Sequence, residues 1–446
     1  MEQPAHWLHI REDDMSFPSA SLAYFIVDNL WKRNRIFCSS DYDESLKFLS
    51  QYLPFQIHEY RTSEPNKGWV IPPKWDLVKG VICKDGETIF EADNPLKIIA
   101  LSKSFRGTIS RNDLRDHLFY DHRDPDRIPY HFRQMYRPWE RDWGFCVTKN
   151  FYDSLAPGIY EVEIETKESE GYLRVAEYIK QGDNPEGFAI VAHLDHPGMA
   201  NDDLSGVAAG VEAFHQLANS KTKFTYRLVL VQELIGSVFY LDTAKKTPAP
   251  ILESCFVEMV GSNTPLSLQS SHQGKSLLES IVEQKIQKQA LPYSKGPFRT
   301  VVCNDECVWE SHGIPMCTLT RYPYPEYHSD ADSMAIISEE SLSTAANLIY
   351  ETIRELDTNI LIKRHFDGVF ALANPKYNLY IDPGQPAFRD LGLIPNAAKL
   401  RSIMDEMPLL PTYSFLTSLA DRFQLPIETV NTYLKLWEDK GLISLI

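Results

Sequence analysis

Cysteine is scarce in this chain of 446 residues, and its pattern excludes the usual cysteine-based structures. The seven cysteines are odd in number and scattered, and no two of them form a Cys-x-x-Cys pair. A disulfide framework and a cysteine-bound structural zinc site are therefore not expected. Reduced thiols in a cytoplasm are the simplest interpretation of this usage.

Long apolar runs and a surplus of basic residues are also absent. No apolar run approaches the about 20 residues that a membrane-spanning helix requires, and residues 1–7 show no basic region followed by an apolar stretch. We therefore predict a cytoplasmic location, with neither a secretory signal nor a membrane partner. Lysine and arginine number 45 against 61 aspartates and glutamates, and the net charge of −16 argues against a general nucleic-acid binder.

The spacing of apolar residues changes along the chain and divides it into three zones. Helical spacing of apolar residues gives way to short β-rich runs broken by proline and glycine, and then to alternating strands and helices. A chain of this length also exceeds one ordinary core. We predict an α/β domain split between residues 16–65 and 181–365, an inserted β-rich domain at residues 66–180, and a winged helix-turn-helix at residues 395–446.

Three short apolar runs carry the fold prediction. Phe188–Val191, Leu228–Val231 and Cys255–Val257 are typical of buried strands. Val207–Leu217 and Ser276–Gln289 lie between or after them and have helical spacing. Such alternation predicts an α/β fold with a mostly parallel, twisted sheet that is covered by helices. The insertion is predicted to be a small antiparallel β domain.

Candidate metal ligands follow the ends of these strands. His193 and Glu233 each come two residues after an apolar run, and Glu258 comes directly after the third run. Because ligands of open α/β sheets bind beyond the carboxyl ends of the strands, the three side chains are expected at one edge. Asp202 opens a Gly/Ser turn before a helix, where its carboxylate could bridge two metals. Singly, His193 is typical of a structural histidine and Asp202 of a helix N-cap, but their joint order favours a metal site.

Zinc, as one or two ions, is the predicted cofactor. Neutral imidazole and carboxylate suit Zn²⁺, and the absence of cysteine ligands favours a catalytic site over a structural one. Asp195 is predicted to orient the imidazole of His193. Two ions about 3.5–4 Å apart would share a hydroxide that attacks a polarised carbonyl.

Five short motifs occur in a characteristic order. They are AHLD at Ala192–Asp195, NDDLSG at Asn201–Gly206, QE at Gln232–Glu233, VEMVG at Val257–Gly261 and YHSDADS at Tyr327–Ser333. With them, residues 187–355 resemble the zinc aminopeptidase family, which includes bacterial leucyl aminopeptidases and the related glutaminyl cyclases. The resemblance implies that His193 and Glu258 hold one zinc ion. It also implies that Glu233 and His328 hold the other and that Asp202 bridges the two.

A narrower resemblance covers nearly the whole chain. The motif Arg137–Cys146 and the segment Pro325–His328 look like those of bacterial aminopeptidase-like proteins that have a nested β domain and a C-terminal winged helix. Some of those proteins are linked to polysaccharide biosynthesis. The resemblance implies a small peptide, aminoacyl or amide substrate, including an amide bond on a modified sugar.

One position departs from the aminopeptidase pattern. Those enzymes carry two adjacent glutamates, the first a general base and the second a ligand, whereas the first position here is Gln232. An amide cannot take a proton from water. Three outcomes are open: Glu233 acts as base over a one-metal site, another carboxylate such as Glu326 serves, or hydrolysis is lost. Glu258 also stands where the pattern usually has aspartate.

Two functions therefore compete. The first is a zinc-dependent aminopeptidase-like hydrolase with Glu233 and Asp195 as catalytic residues. The second is a non-hydrolytic metal-binding protein for recognition or regulation, which retains the ligands but lacks the usual base at Gln232. The intact ligand set favours the first.

The C-terminal region has the helix pattern of a DNA-binding motif but lacks the positive charge that such motifs carry. Two helices, Leu416–Phe423 and Ile427–Glu438, are followed by Gly441–Leu445, which resembles a winged helix-turn-helix. Residues 412–446 hold three lysines or arginines against four aspartates or glutamates, so few groups could bind DNA phosphates. Packing or dimerisation, and hence a homo-oligomer, is favoured over nucleic-acid binding.

Overall fold

The chain divides into two compact units. The computed structural model describes residues 21–244, 250–382, 384 and 386–446, so the predicted domain start at residue 16 lies outside the described residues. The first unit runs to Thr352 and the second from Ile353 to Ile446. The division therefore falls before residue 365, where the sequence placed the end of the α/β domain.

In the described residues, the N-terminal half of the first unit contains five α-helices and most of that unit's β structure. The oxygens of Ser21 and Ser39 each accept a backbone N–H from the first turn of the helix that follows, where no intrahelical acceptor exists. The helices are α1 (Leu22–Leu30), α2 (Ser40–Leu49), α3 (Arg111–Arg115), α4 (Arg133–Tyr136) and α5 (Lys149–Ser154). The strands are β1 (Gln56–Arg61), β2 (Pro65–Asn66), β3 (Trp69–Val70), β4 (Lys74–Lys84), β5 (Glu87–Glu91), β6 (Phe105–Ser110), β7 (Leu118–Phe119), β8 (Phe145–Cys146), β9 (Ile159–Ser169) and β10 (Tyr172–Lys180).

Strands and helices alternate through the rest of the first unit. The strands are β11 (Gly187–His193), β12 (Thr225–Val231), β13 (Ile251–Val257), β14 (Leu266–Gln269), β15 (Tyr293–Gly296) and β16 (Met316–Thr320). The helices are α6 (Leu204–Leu217), α7 (Ile235–Ala244), α8 (Leu277–Lys288), α9 (Glu306–Ser311) and α10 (Glu339–Leu356), and the last residues of α10 belong to the second unit. The three predicted apolar strands are confirmed as β11, β12 and β13.

The large sheet has eight strands in the order β1-β10-β12-β11-β13-β16-β14-β15. Its four central strands, β12, β11, β13 and β16, are parallel. The edge strands β1 and β10 run antiparallel to their neighbours, as does β14 against β16. The predicted mostly parallel sheet is thus observed at the centre, where every residue of β11 and β12 is buried.

A second, four-stranded antiparallel sheet has the order β5-β4-β9-β6. It ends at Ser169, and β10 pairs with β1 and β12 in the large sheet. The predicted insertion of residues 66–180 was therefore too long at its end, because β10 is hydrogen-bonded into the large sheet and Leu173, Val175 and Ala176 are buried there. Trp75 and Phe145 share one hydrophobic cluster with Val191 and Val229 of the large sheet.

The second unit is a small helical body with three short strands. Its elements are β17 (Leu361–Arg364), α11 (Pro386–Asp390), α12 (Ala397–Glu406), β18 (Tyr413–Phe415), α13 (Leu416–Phe423), α14 (Ile427–Glu438) and β19 (Ile443–Leu445). β17 pairs antiparallel with both β18 and β19. The sequence analysis had placed this segment in the α/β domain, but its strand partners belong to the second unit. The bounds of α13 and α14 agree with the sequence, while the winged-helix assignment of residues 395–446 stays a prediction.

None of the helices in the described ranges combines the length and the hydropathy that a bilayer crossing requires.

Candidate metal centre

Asp202 lies at the centre of a buried cluster of histidines and carboxylates. Its Oδ1 atom is 3.5 Å from Nε2 of His193, and its Oδ2 atom is 3.1 Å from Nε2 of His328 and 3.7 Å from Nε2 of His196. Nε2 of His193 also lies 3.3 Å from Oε2 of Glu258. Burial opposes the ionisation of Asp202, but the surrounding imidazoles, His196 first, hold its pKa well below the usual range.

The parallel strands bring these residues together. His193 ends β11, Glu258 follows β13 directly, and Glu233 follows β12 by two residues. In the pairing of β11 with β12, His193 stands opposite Val231. The strands therefore end at one edge of the sheet, where His193 and Glu258 lie 3.3 Å apart and the Glu233 carboxylate lies 3.9 Å from Nε2 of His196.

A single carboxylate holds the loop that carries Asp202. Asp332 accepts the backbone N–H groups of Ala200 and Asn201 on Oδ1 and that of Asp202 on Oδ2. The hydroxyl of Tyr324 donates to the same Oδ2 atom at 2.6 Å. Burial raises the pKa of Asp332 to about 7. Asp332 belongs to the YHSDADS motif and acts on the site through the backbone of the loop, whose Asp202–Asp203 peptide bond is cis.

The close approach of α6 to β13 requires a glycine. A Cβ atom on Gly206 would lie 2.1 Å from the carbonyl oxygen of Val257 and 2.9 Å from the Cα atom of Glu258. Both neighbours are backbone atoms, which cannot rotate away. Gly206 therefore lets the start of α6, with Asp202 just before it, reach the strand end that carries Glu258.

Substituting Gly206 with alanine is expected to lower the free energy of unfolding by about 1–3 kcal/mol, because the new methyl group overlaps backbone. Gly210→Ala in the same helix is the matched control. It has the same gain in helix propensity, but its Cβ meets the flexible end of Leu228 at 2.8 Å. Urea denaturation of both variants measures the difference. Equal stabilities would contradict the close contact at Gly206.

His196 was not predicted as a site residue, yet it lies inside the cluster. Its Nδ1 atom is 3.2 Å from Oδ2 of Asp203, and its Nε2 atom is 3.9 Å from Oε2 of Glu233. Asp203 is itself held by the backbone N–H of His196 at 3.0 Å and by the fully buried Arg35 at 3.4 Å. The carboxylate of Asp203 accepts from Nδ1, which leaves Nε2 to face Asp202.

Asp195 has a different contact from the predicted one. Nδ1 of His193 has no hydrogen-bond partner among the described residues, and Oδ1 of Asp195 instead accepts the backbone N–H of Glu233 at 3.0 Å. The chain leaves the strand after His193, and the Asp195 carboxylate consequently meets the loop that follows β12. Burial raises the pKa of Asp195 to about 8.

Glu233 and Gln232 point in opposite directions. The side chain of Glu233 is 19 % exposed, and its Oε2 atom accepts a hydrogen bond of 2.7 Å from the hydroxyl of Tyr136. Gln232 is fully buried, and its amide donates to the carbonyl oxygens of Phe37 and Arg174. The interpretation of Gln232 as a failed base at the site is therefore wrong: the chain turns at Glu233 and Leu234 directly after β12, and the amide of Gln232 stays in the core.

Glu258 and His328 complete the cluster from opposite walls. Oε2 of Glu258 accepts a hydrogen bond of 2.8 Å from the amide of Asn304, and burial raises the pKa of Glu258 to about 7. The imidazole of His328 is stacked on the ring of Tyr327, with 3.8 Å between centroids. Glu326 was named as an alternative base, but within the described ranges no hydrogen bond or ion pair joins its carboxylate to the cluster.

The donor set fits a zinc ion. Five buried ligand atoms have no hydrogen-bond partner in the described part of the chain: Nδ1 and Nε2 of His193, Oδ1 of Asp202, Oε1 of Glu258 and Nε2 of His328. Such atoms are costly to bury without a partner. Candidate ligand atoms of His193, His196 and Asp202 all lie within 4.8 Å of one another, and nitrogen with carboxylate oxygen is the ligand chemistry of catalytic zinc.

Two residues of the site escaped the sequence analysis for different reasons. His196 stands directly after Asp195, so its signal was available as a second histidine within three residues of His193. Tyr136 is separated from Glu233 by 97 positions and lies in the predicted insertion. Its contact depends on how α4 packs, and no local pattern indicates it.

Comparison with known proteins places the chain among aminopeptidase-like folds. A Clostridium acetobutylicum protein, named provisionally as a polysaccharide biosynthesis protein with an aminopeptidase-like domain, is 26 % identical over 346 residues, covering 75 % of this chain and 78 % of that protein. A crystal structure described provisionally as a peptidase from Clostridium acetobutylicum is 22 % identical, with a TM-score of 0.73, and the match covers 95 % of this chain and 96 % of that one. A zinc aminopeptidase from Bacillus subtilis is 16 % identical with a TM-score of 0.55, covering 75 % and 94 %.

These structural likenesses confirm the predicted resemblance to zinc aminopeptidases at the level of the fold. A family model also matches the chain, over residues 24–359. This span begins in α1 and ends just after the first unit. That span is well over half of the chain. The chain therefore belongs to the family described as a domain of unknown function, DUF4910.

Proposed function

We propose that this protein is a zinc-dependent hydrolase of the aminopeptidase type that cleaves a peptide, aminoacyl or amide bond. The observation that carries the proposal is the buried cluster around Asp202, whose ligand atoms lack hydrogen-bond partners among the described residues. The sequence pattern implies four further ligands, His193, Glu258, His328 and Glu233, and we propose the first three of them together with Asp202. The fold shared with the Bacillus subtilis zinc aminopeptidase supports the same reading.

The chain's own residues are arranged for hydrolysis. Zinc, when bound, supplies a Lewis acid that polarises the carbonyl and lowers the pKa of water. Glu233 accepts a proton from water as the water oxygen bonds to the carbonyl carbon, and it returns that proton to the amide nitrogen as the carbon–nitrogen bond breaks. Asp195 positions Glu233 through its backbone N–H, and the Tyr136 hydroxyl holds the carboxylate.

A cavity beside Glu233 supports a substrate with an apolar group. Its volume is about 280 Å³, at the small end for ligand sites. The lining residues are Lys67, Gly68, Trp69, Val70, Met135, Tyr136, Trp139 and Ile235. Tyr136 lines the cavity and contacts Glu233, so a side chain or sugar ring bound there would lie beside the proton acceptor. The ammonium of Lys67 is paired with Asp242 at 2.8 Å, which makes an anionic substrate group less suitable.

The alternative, a non-hydrolytic metal-binding protein, loses its main support. It depended on Gln232 as an inactive replacement for the base, and the amide of Gln232 is bonded to two backbone carbonyls away from the site. Glu233 remains available as a carboxylate at the rim of the cluster.

The test is zinc analysis of the purified protein followed by a substrate panel. We expect bound zinc and turnover of aminoacyl and short peptide amides, which a chelator abolishes and added zinc restores. Each substrate is paired with its N-acetylated form, which an aminopeptidase rejects because the free amine is blocked. Zinc-loaded protein without turnover on any member of the panel would contradict a hydrolase, and absence of zinc would contradict the metal site.

A further inference from the structure

The two carboxylate oxygens of Asp202 face different donors, within a cluster in which candidate ligand atoms of His193, His196 and Asp202 all lie within 4.8 Å of one another. Oδ1 faces Nε2 of His193, which in turn lies beside Oε2 of Glu258. Oδ2 faces the Nε2 atoms of both His196 and His328. Each side thus contains three protein donors, the number that leaves one position open at a four-coordinate catalytic zinc.

His196 has the second contact that a zinc-bound histidine requires. Its Nδ1 atom is 3.2 Å from the carboxylate of Asp203, which also accepts the backbone N–H groups of Asp195 and His196. Asp203 is anchored at its other oxygen by Arg35. A carboxylate on one ring nitrogen fixes the tautomer and directs the other nitrogen at the metal. The side chain is 2 % exposed, so the direction is set by its surroundings.

Glu233 is held differently from the other candidate ligands. Its Oε2 atom accepts the hydroxyl of Tyr136 at 2.7 Å and lies 3.9 Å from Nε2 of His196. The side chain is 19 % exposed, close to the 18 % of His328 but above the 2 % of Asp202 and the 1 % of Glu258, the other two candidate carboxylates. A carboxylate at the rim, with one oxygen engaged by a phenol, is placed to meet water rather than to complete a buried ligand set.

We propose that His196 is a ligand of the second zinc ion, together with Asp202 and His328, and that Glu233 is not a ligand but only the proton acceptor. One glutamate then suffices where the aminopeptidase pattern uses two, because a histidine supplies the missing donor. The assignment of His196 depends on metal binding alone, whereas the role of Glu233 rests on the proposed hydrolase function.

The test compares His196→Gln and Glu233→Gln, with His272→Gln at an exposed position as the matched control. Zinc per chain is measured after dialysis against graded zinc concentrations. We expect two ions in the wild type, a loss of affinity of at least about 100-fold for one ion in His196→Gln, and wild-type binding in Glu233→Gln and in the control. Glu233→Gln is expected to lower kcat by about 10²–10⁴-fold.

X-ray absorption at the zinc edge of the wild type gives a measurement that does not depend on the folding of a variant. We expect three imidazoles shared by two zinc ions, and two imidazoles if His196 is not a ligand. The assignment is overturned if His196→Gln binds both ions like the wild type, or if Glu233→Gln loses one. Zinc binding as expected but no hydrolysis in any chain would contradict the proposed function and leave His196 assigned.

Discussion

Replacing Asp202 by asparagine is expected to remove bound zinc and to lower kcat/KM by at least about 1000-fold. Both oxygens of Asp202 face imidazoles, at distances of 3.1–3.7 Å, so one substitution affects both groups of donors. Asparagine has nearly the same shape but lacks the negative charge that offsets the positive charge of the metals. Zinc per chain and turnover are measured on the same preparations.

A loss of fold must be separated from a loss of metal in this variant. Asp367→Asn is the control, because the side chain of Asp367 is fully exposed and the chemical change is the same. Thermal unfolding without zinc should be similar for both variants, and only the wild type and the control should gain stability when zinc is added. Full zinc content in Asp202→Asn would contradict the central position of this carboxylate.

Replacing Gln232 by glutamate is expected to lower the free energy of unfolding by about 3 kcal/mol without increasing turnover. The side chain is fully buried and donates to the carbonyl oxygens of Phe37 and Arg174. A carboxylate cannot donate there, and its charge would face two acceptor oxygens in the core. The aminopeptidase pattern alone leads to the opposite expectation, since glutamate at this position would restore a general base.

Chemical denaturation and turnover together separate these two expectations. Gln51→Glu makes the same change at an exposed position and should leave both stability and activity near the wild-type values. A Gln232→Glu protein that is as stable as this control and turns over substrate faster than the wild type would show that the side chain reaches the site after all.

Much of the fold was accessible from the sequence because strongly buried elements leave simple patterns. β11 and β12 are buried at every residue, and such strands appear as short continuous apolar runs. The helices α13 and α14 are separated by Gln424, whose positive φ of 50° ends α13. The end of the predicted insertion, at β10, and the end of the α/β domain, at β17, were harder to predict. Each of these strands could be assigned to a sheet only from its pairing partners.

The sequence by itself determined the types of the candidate ligands, their order along the chain and the sheet edge at which His193 and Glu258 lie. Parallel strands end at the same edge, so His193 and Glu258 had to lie close together once β11 and β13 were recognised. This inference depended only on the strands and did not require the paths of the loops between them.

Only the tertiary structure decided which of two neighbouring residues faces the cluster that contains His193 and Asp202. Glu233 meets Tyr136 at the rim while Gln232 meets backbone carbonyls in the core, because the chain turns at Glu233 and Leu234 between the end of β12 and the start of α7. His196 reaches the cluster through a loop that is held by Asp203 and Arg35. Contacts between residues far apart in the chain determine that loop's path, and local sequence preference does not encode it.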